Sequence, residues 1–228
     1  MKNQEWKKYS QTFKKALGLE FSPVAVTCLK EDPSGKKEKK FRICKAILDA
    51  GRGDTIDISK KSNMCFGSGW HLGFYKPKDK KILDIVKKFV VEKERLFCSY
   101  EALDNLLRQM DDPLDNSGSV YSLSPMEKAK AAPQLVIFIV DAEAACRLLT
   151  LATFSDGIMP KVKIGGPACR LGITYPLVTG ELNISFYDHT ARKLSGIGRD
   201  KLIVSVPYSR IPQMIKDLDK CPAGRIEE

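Results

Sequence analysis

Three short apolar runs punctuate the chain: Val24-Ala25-Val26-Thr27-Cys28-Leu29, Leu135-Val136-Ile137-Phe138-Ile139-Val140 and Leu202-Ile203-Val204-Ser205-Val206. Each is rich in β-branched residues and bounded by turn formers, the pattern of a buried strand. Thr55-Ile56-Asp57-Ile58 and Leu182 to Tyr187 alternate apolar and polar positions and predict two more strands. A further strand is expected over Ile158 to Ile164, with Pro160 placing it at a sheet edge. Helical spacing separates these runs. Trp6, Tyr9, Phe13, Ala16 and Leu17 share one face and stop at Gly18, which predicts a helix over 3–17. Ile82, Ile85, Val86, Phe89 and Val90 do the same over 79–94, and that face is expected to enter the core. Phe41 to Ala50, Tyr100 to Met110 and Ile211 to Leu218 also read as helices. Asp141 is placed to cap a helix over Ala142 to Thr153, and Ser124-Pro125-Met126-Glu127 has a capping-box pattern.

Strands alternating with helices predict an α/β fold with at least some parallel strands. The order of apolar strand, helix, turn and Cys-Gly loop occurs twice. Cys44 and Cys65 belong to the first copy, Cys146 and Cys169 to the second. We therefore expect a single compact domain of two related βαβ-containing halves, about 19–110 and 121–228, around mixed sheets. The polar loop Asp111 to Gly118 divides them. The loops Ser62 to Gly69 and Gly165 to Gly172, carrying Cys65 and Cys169, are expected at equivalent places.

With 228 residues, 43% apolar and 29% charged, the chain has the composition of an ordinary soluble protein. No stretch approaches the roughly 20 apolar residues of a membrane span, and the polar N-terminal segment lacks the apolar core of a secretory signal. A cytoplasmic location is expected, with no membrane contact. The net charge of +10 could draw an anionic partner. Its clusters, 36–40, 60–61 and 76–81, fall in expected loops without interleaved aromatic residues. They read as solvated surface, which argues against nucleic acid.

The candidate chemistry lies in the seven cysteines, which in a reducing compartment are thiols. No Cys-x-x-Cys occurs, so zinc-ribbon and thioredoxin-like patterns are missing. Cys65 and Cys169 sit among glycines whose backbone N–H groups can stabilise a thiolate and leave room for a bulky ligand. Cys44 opens a helix. These three are the candidate ligands of an iron–sulfur cluster or other thiolate-bound metal, with a fourth position open or taken by Cys146 or His71. Cys28, Cys98 and Cys146 otherwise read as small buried hydrophobes. His71 also reads as a packed residue, and His189 as a turn residue. The alternative is a small anionic ligand or cofactor held by Gly67, Gly69, Gly166, Arg170 and Arg192, without metal. No P-loop or hydrolase elbow is present.

The order of these motifs resembles one family. An apolar strand with Pro23-Val24-Ala25-Val26 precedes Cys44-x-Ala46 and Cys65-x-Gly67 with Leu72-Gly73; Gly166-x-x-Cys169 and Leu202 to Pro207 follow. This resembles the archaeal and bacterial domain of unknown function 169 from about Leu17 to Pro207. The resemblance implies that Cys44, Cys65 and Cys169 match that family's motif cysteines, and it implies no settled activity. Where the family pattern has Cys-Pro-Gly-Gly, this chain has Cys65-Phe66-Gly67-Ser68.

Overall fold

The structure, a computed structural model, describes residues 5–30, 39–75, 79–110, 114 and 120–224. Chain order gives α1 (Glu5–Leu17), β1 (Val24–Leu29), α2 (Ile43–Gly51), β2 (Ile56–Ile58), α3 (Phe66–His71), α4 (Lys80–Lys88), α5 (Tyr100–Arg108) and β3 (Val120–Pro125). Then come β4 (Leu135–Val140), α6 (Ala142–Thr153), α7 (Tyr175–Thr179), β5 (Asn183–Ser185), α8 (His189–Ser195), β6 (Leu202–Pro207) and α9 (Ile211–Asp217). A π-helical turn, Arg170–Thr174, leads directly into α7.

The class is α/β, as the pattern implies, but the sheet is not mixed. Its order is β2-β3-β1-β4-β6-β5, and every strand pairing among the described residues is antiparallel. Among the described residues the parallel contacts are the isolated bridges Phe41↔Asn63 and Gly165↔Ser185. The reason lies in strand insertion. β1 and β2 both pair antiparallel with β3, so they point the same way, joined through α2 as a β-α-β unit would be. The third strand then slots between them. β4, β5 and β6 repeat this split arrangement. Alternating strands and helices were legible; the inserted strand that removes parallel neighbours was not.

Both faces of the sheet are covered, so its central strands are mostly apolar, with Ser205 the polar residue of β6. Every residue of β4 and β6 is buried. Leu135, Ile137 and Ile139 enter one core with α2, Ala168, Ile173 and Ala191. Val136, Phe138 and Val140 enter the other with α1, α6 and α9. Period-two side-chain alternation sorts one strand between two layers. Phe138 meets Phe13 of α1 edge to face at 5.2 Å between centroids.

Of the two expected caps, one forms. Asp141 accepts the Ala144 N–H at 2.9 Å and starts α6. Near Ser124 the outcome differs. Ser124 stays in β3, Met126–Lys128 forms a 3-10 turn, and Glu127 accepts hydrogen bonds from Ser10 and Ser22 instead. Two other expectations are corrected. Ile158 to Ile164 is not a strand: the Ile158 N–H bonds Asp156 and the Val162 N–H bonds Pro160, so local turns take the groups a ladder would need. Only Val86 of the α4 apolar face is buried, while Ile85 and Phe89 are about half exposed, because no sheet strand lies beneath this helix. The boundary at 111–118 falls almost wholly outside the described residues, as do parts of the basic clusters 36–40 and 76–81.

Candidate functional site

The split topology brings several sequence-distant helix starts to one side of the sheet. Cys44 is the second residue of α2 and is buried. Cys65 is the N-cap of α3, where its Sγ accepts the Ser68 N–H at 3.5 Å. Cys169 immediately precedes the π-helical turn and packs against the same core as Cys44. Asp188 caps α8 by accepting the Ala191 N–H at 2.7 Å. α2 packs against α8, and α3 packs against the turn that follows Cys169.

Burial pushes the Cys44 thiol up to about 11; Cys65 and Asp188 push it further, against the Lys45 N–H and Arg42. Burial also raises Cys169 well above the ordinary thiol value, reinforced by Cys65, Asp188 and Cys44. Backbone contacts tie the segments that carry these residues together on this side of the sheet: Phe41 bridges Asn63, the Tyr187 hydroxyl bonds the Cys44 carbonyl at 3.1 Å, and the Thr174 hydroxyl bonds the carbonyls of His71 at 3.0 Å and Cys169 at 3.1 Å. Cys44 and Cys169 are thiols at neutral pH, and a bound cation would reverse that. Among the described residues, no group of three or more His, Cys, Asp or Glu is gathered as a metal site.

The remaining candidates divide. Cys146 is exposed on α6, which covers the opposite face of the sheet, so it does not join the other three. Cys98 is exposed as well, against the expectation that both are packing residues. Cys28 is half-buried, and burial raises its thiol to about 11. His71 keeps part of its surface exposed, but burial and Arg170 lower its pKa to about 3, so its ring is neutral. His189 opens α8 at the surface. Arg170 is almost wholly buried. Arg192 donates to the carbonyls of Phe186, Lys201, Gly198 and Arg199 at 2.5–3.0 Å, so its guanidinium is committed to holding the chain around α8.

The glycines have distinct packing roles. A Cβ at Gly166 would lie 3.0 Å from Cα and Cβ of Asp188, so this glycine permits that close approach. At Gly69 it would meet the Tyr75 ring at 2.5 Å and Asn63 at 2.8 Å. At Gly67 the nearest atom is the Cys65 sulfur at 3.8 Å, an ordinary contact. Ser68 donates to Asn63 Oδ1 at 2.7 Å and ties the loop before Cys65 to α3, while Phe66 is exposed and stacks on Tyr75.

The two Cys-Gly loops are not equivalent in the fold. Cys65 follows β2, whereas Cys169 precedes β5. The sequence signal for Asp188 is the cap pattern Asp188-His189-Thr190-Ala191 after a strand, which the structure bears out as the N-cap of α8. A cavity of about 220 Å³ lies elsewhere, between Leu17–Glu20 and α6, beside Lys201, and no cysteine lines it.

The model of the family DUF169, described as "Uncharacterised ArCR", matches residues 12–217, and the protein is a member of that family. No curated protein and no solved structure matches the chain. Among the described residues, no helix is long and apolar enough to cross a membrane.

Proposed function

We propose that this protein binds a thiophilic metal ion or an iron–sulfur centre through Cys44, Cys65 and Cys169. One observation carries the reading. Cysteines from three separate elements lie on one face of the sheet, Cys44 on α2, Cys65 capping α3 and Cys169 leading into the turn against which α3 packs, and charge on Cys65 opposes ionisation of Cys44 and Cys169. A cation among them turns that mutual cost into ligation, because a coordinating thiol is deprotonated outright. The side chains close in when the metal binds, since ligand formation and local ordering are coupled. All seven cysteines are free, which accords with a reducing compartment such as the cytoplasm.

The anionic-ligand alternative has weaker support. Of its two arginines, Arg192 is committed to four carbonyls and Arg170 lies inside the core. Iron, zinc and acid-labile sulfide should be measured after anaerobic purification of wild type and of C44S, C65S and C169S. The reading expects metal in wild type and its loss from each variant, with Cys146→Ser unaffected. Wild type free of metal, and unable to take it up on reconstitution, would reject it.

A further inference from the structure

We propose that Asp188 is the fourth ligand of this centre, completing a set of three cysteines and one carboxylate arranged about a pseudo-dyad. The inference rests on the metal reading above and extends it to a residue with no cysteine-like signal.

The dyad is written in the strand register. β1 and β4 meet as Val24↔Ile137, Ala25↔Val136 and Val26↔Leu135, so a half-turn about the middle pair exchanges the two strands. The same rotation carries β3 onto β6, since Val24 faces Pro125 and Leu135 faces Pro207. Each proline is followed by a 3-10 turn with a matching bond: Met126 N–H to Pro23 O at 2.8 Å, and Tyr208 N–H to Gln134 O at 3.0 Å. β2 falls on β5, because Ile56 faces Leu123 and Asn183 faces Ser205.

Helices follow the strands. The helix before β2 is α2, with Cys44 in its first turn; the one before β5 is the π turn plus α7, with Cys169 at its start. The helix after β2 is α3, capped by Cys65; the one after β5 is α8, capped by Asp188. The packing of α2 on α8 is thus the image of the packing of α3 on the π turn. Cys44 pairs with Cys169 across the dyad, and Cys65 pairs with Asp188.

Local structure fits Asp188 for the role. Its Oδ1 holds the Ala191 N–H, and Oδ2 makes no hydrogen bond among the described residues. Gly166 allows the chain to pass within contact of it. Tyr187 just before it has φ +62°, a left-handed conformation that is costly for a non-glycine residue. The Tyr187 hydroxyl donates to the Cys44 carbonyl at 3.1 Å and locks this turn to α2. Strain retained beside a convergent set of donors is a mark of a functional turn. Arg42 and Glu94 complete the charged surroundings. Three sulfurs and one oxygen suit a tetrahedral divalent ion such as Zn²⁺ or Co²⁺, or a cluster with one iron held through oxygen.

Anaerobic Co²⁺ titration of the metal-free full-length protein tests this. Asn caps helices as well as Asp does, so Asp188→Asn keeps α8 while removing the anionic ligand. It should retain the thiolate-to-cobalt bands and lose affinity beyond the roughly 10–100-fold typical of an outer partner. Asp188→Cys should bind with those bands stronger by roughly one third, for four thiolates in place of three. Wild-type affinity in D188N, or no gain in D188C, would overturn the proposal while leaving the three-cysteine reading standing. Wild type without thiolate-to-cobalt bands would overturn both.

Discussion

Gly166→Ala probes how tightly the two sides of the site are pressed together. A Cβ there would sit 3.0 Å from both Cα and Cβ of Asp188 and 3.1 Å from its backbone nitrogen. These atoms are closer than ordinary contact, and two of them are backbone. Neither chain can retreat freely. The Phe186 N–H bonds the Gly165 carbonyl at 2.9 Å, and the Ser185 hydroxyl bonds the Gly166 carbonyl at 2.9 Å. Separating the segments would weaken both bonds, each worth about 0.5–1.5 kcal/mol. Overpacking of this kind costs about 1–3 kcal/mol. For a chain of this size that corresponds to a fall in Tm of about 2–4 °C per kcal/mol. Gly67→Ala is the control: its Cβ meets only the Cys65 sulfur, at 3.8 Å, and it lies within α3, where alanine is favoured by about 0.5–1 kcal/mol. Urea and thermal unfolding of both variants decide the matter. G166A as stable as wild type, or G67A the worse of the two, would refute the packing argument.

Two further outcomes follow from the geometry. His71 has a folded-state pKa of about 3 against an ordinary 6.5. The unfolded chain therefore takes up a proton that the folded chain refuses, and stability should fall as pH drops from about 6.5 toward 3. His71→Gln should flatten that decline in urea midpoints, and an NMR titration of His71 with a midpoint near 6.5 would contradict its burial. Arg192→Ala should cost about 1.5–3 kcal/mol, as four carbonyls lose a charged donor. Arg192→Lys should not restore it, because a single ammonium lacks the guanidinium fork; full rescue by lysine would contradict that account.

The elements were largely legible because burial on both faces leaves continuous apolar runs such as Leu135 to Val140, and because Asp141 announces its helix. The pairing directions were not, since nothing in the runs themselves records that β3 inserts between β1 and β2. The apolar residues of 158–164 imitate a strand, but the N–H groups of Ile158 and Val162 bond locally and that of Lys163 bonds the Asn183 side chain, so no ladder forms. Ile85 and Phe89 lie on a helical face that the sheet does not cover, so periodicity there overstated burial. At the site, glycine neighbours and helix position singled out Cys44, Cys65 and Cys169. The pairing of Cys169 with Cys44 and of Cys65 with Asp188 proposed above does not follow from spacing, because it rests on the strand register.

X-ray absorption at the metal edge of the anaerobically prepared, metal-loaded protein tests the central claim most directly. The account predicts a sulfur shell at about 2.3 Å that shrinks in C44S, C65S and C169S alike, with one oxygen neighbour at about 2.0–2.2 Å. A metal surrounded by nitrogen and oxygen alone, or a sulfur shell unchanged in the three variants, would contradict it.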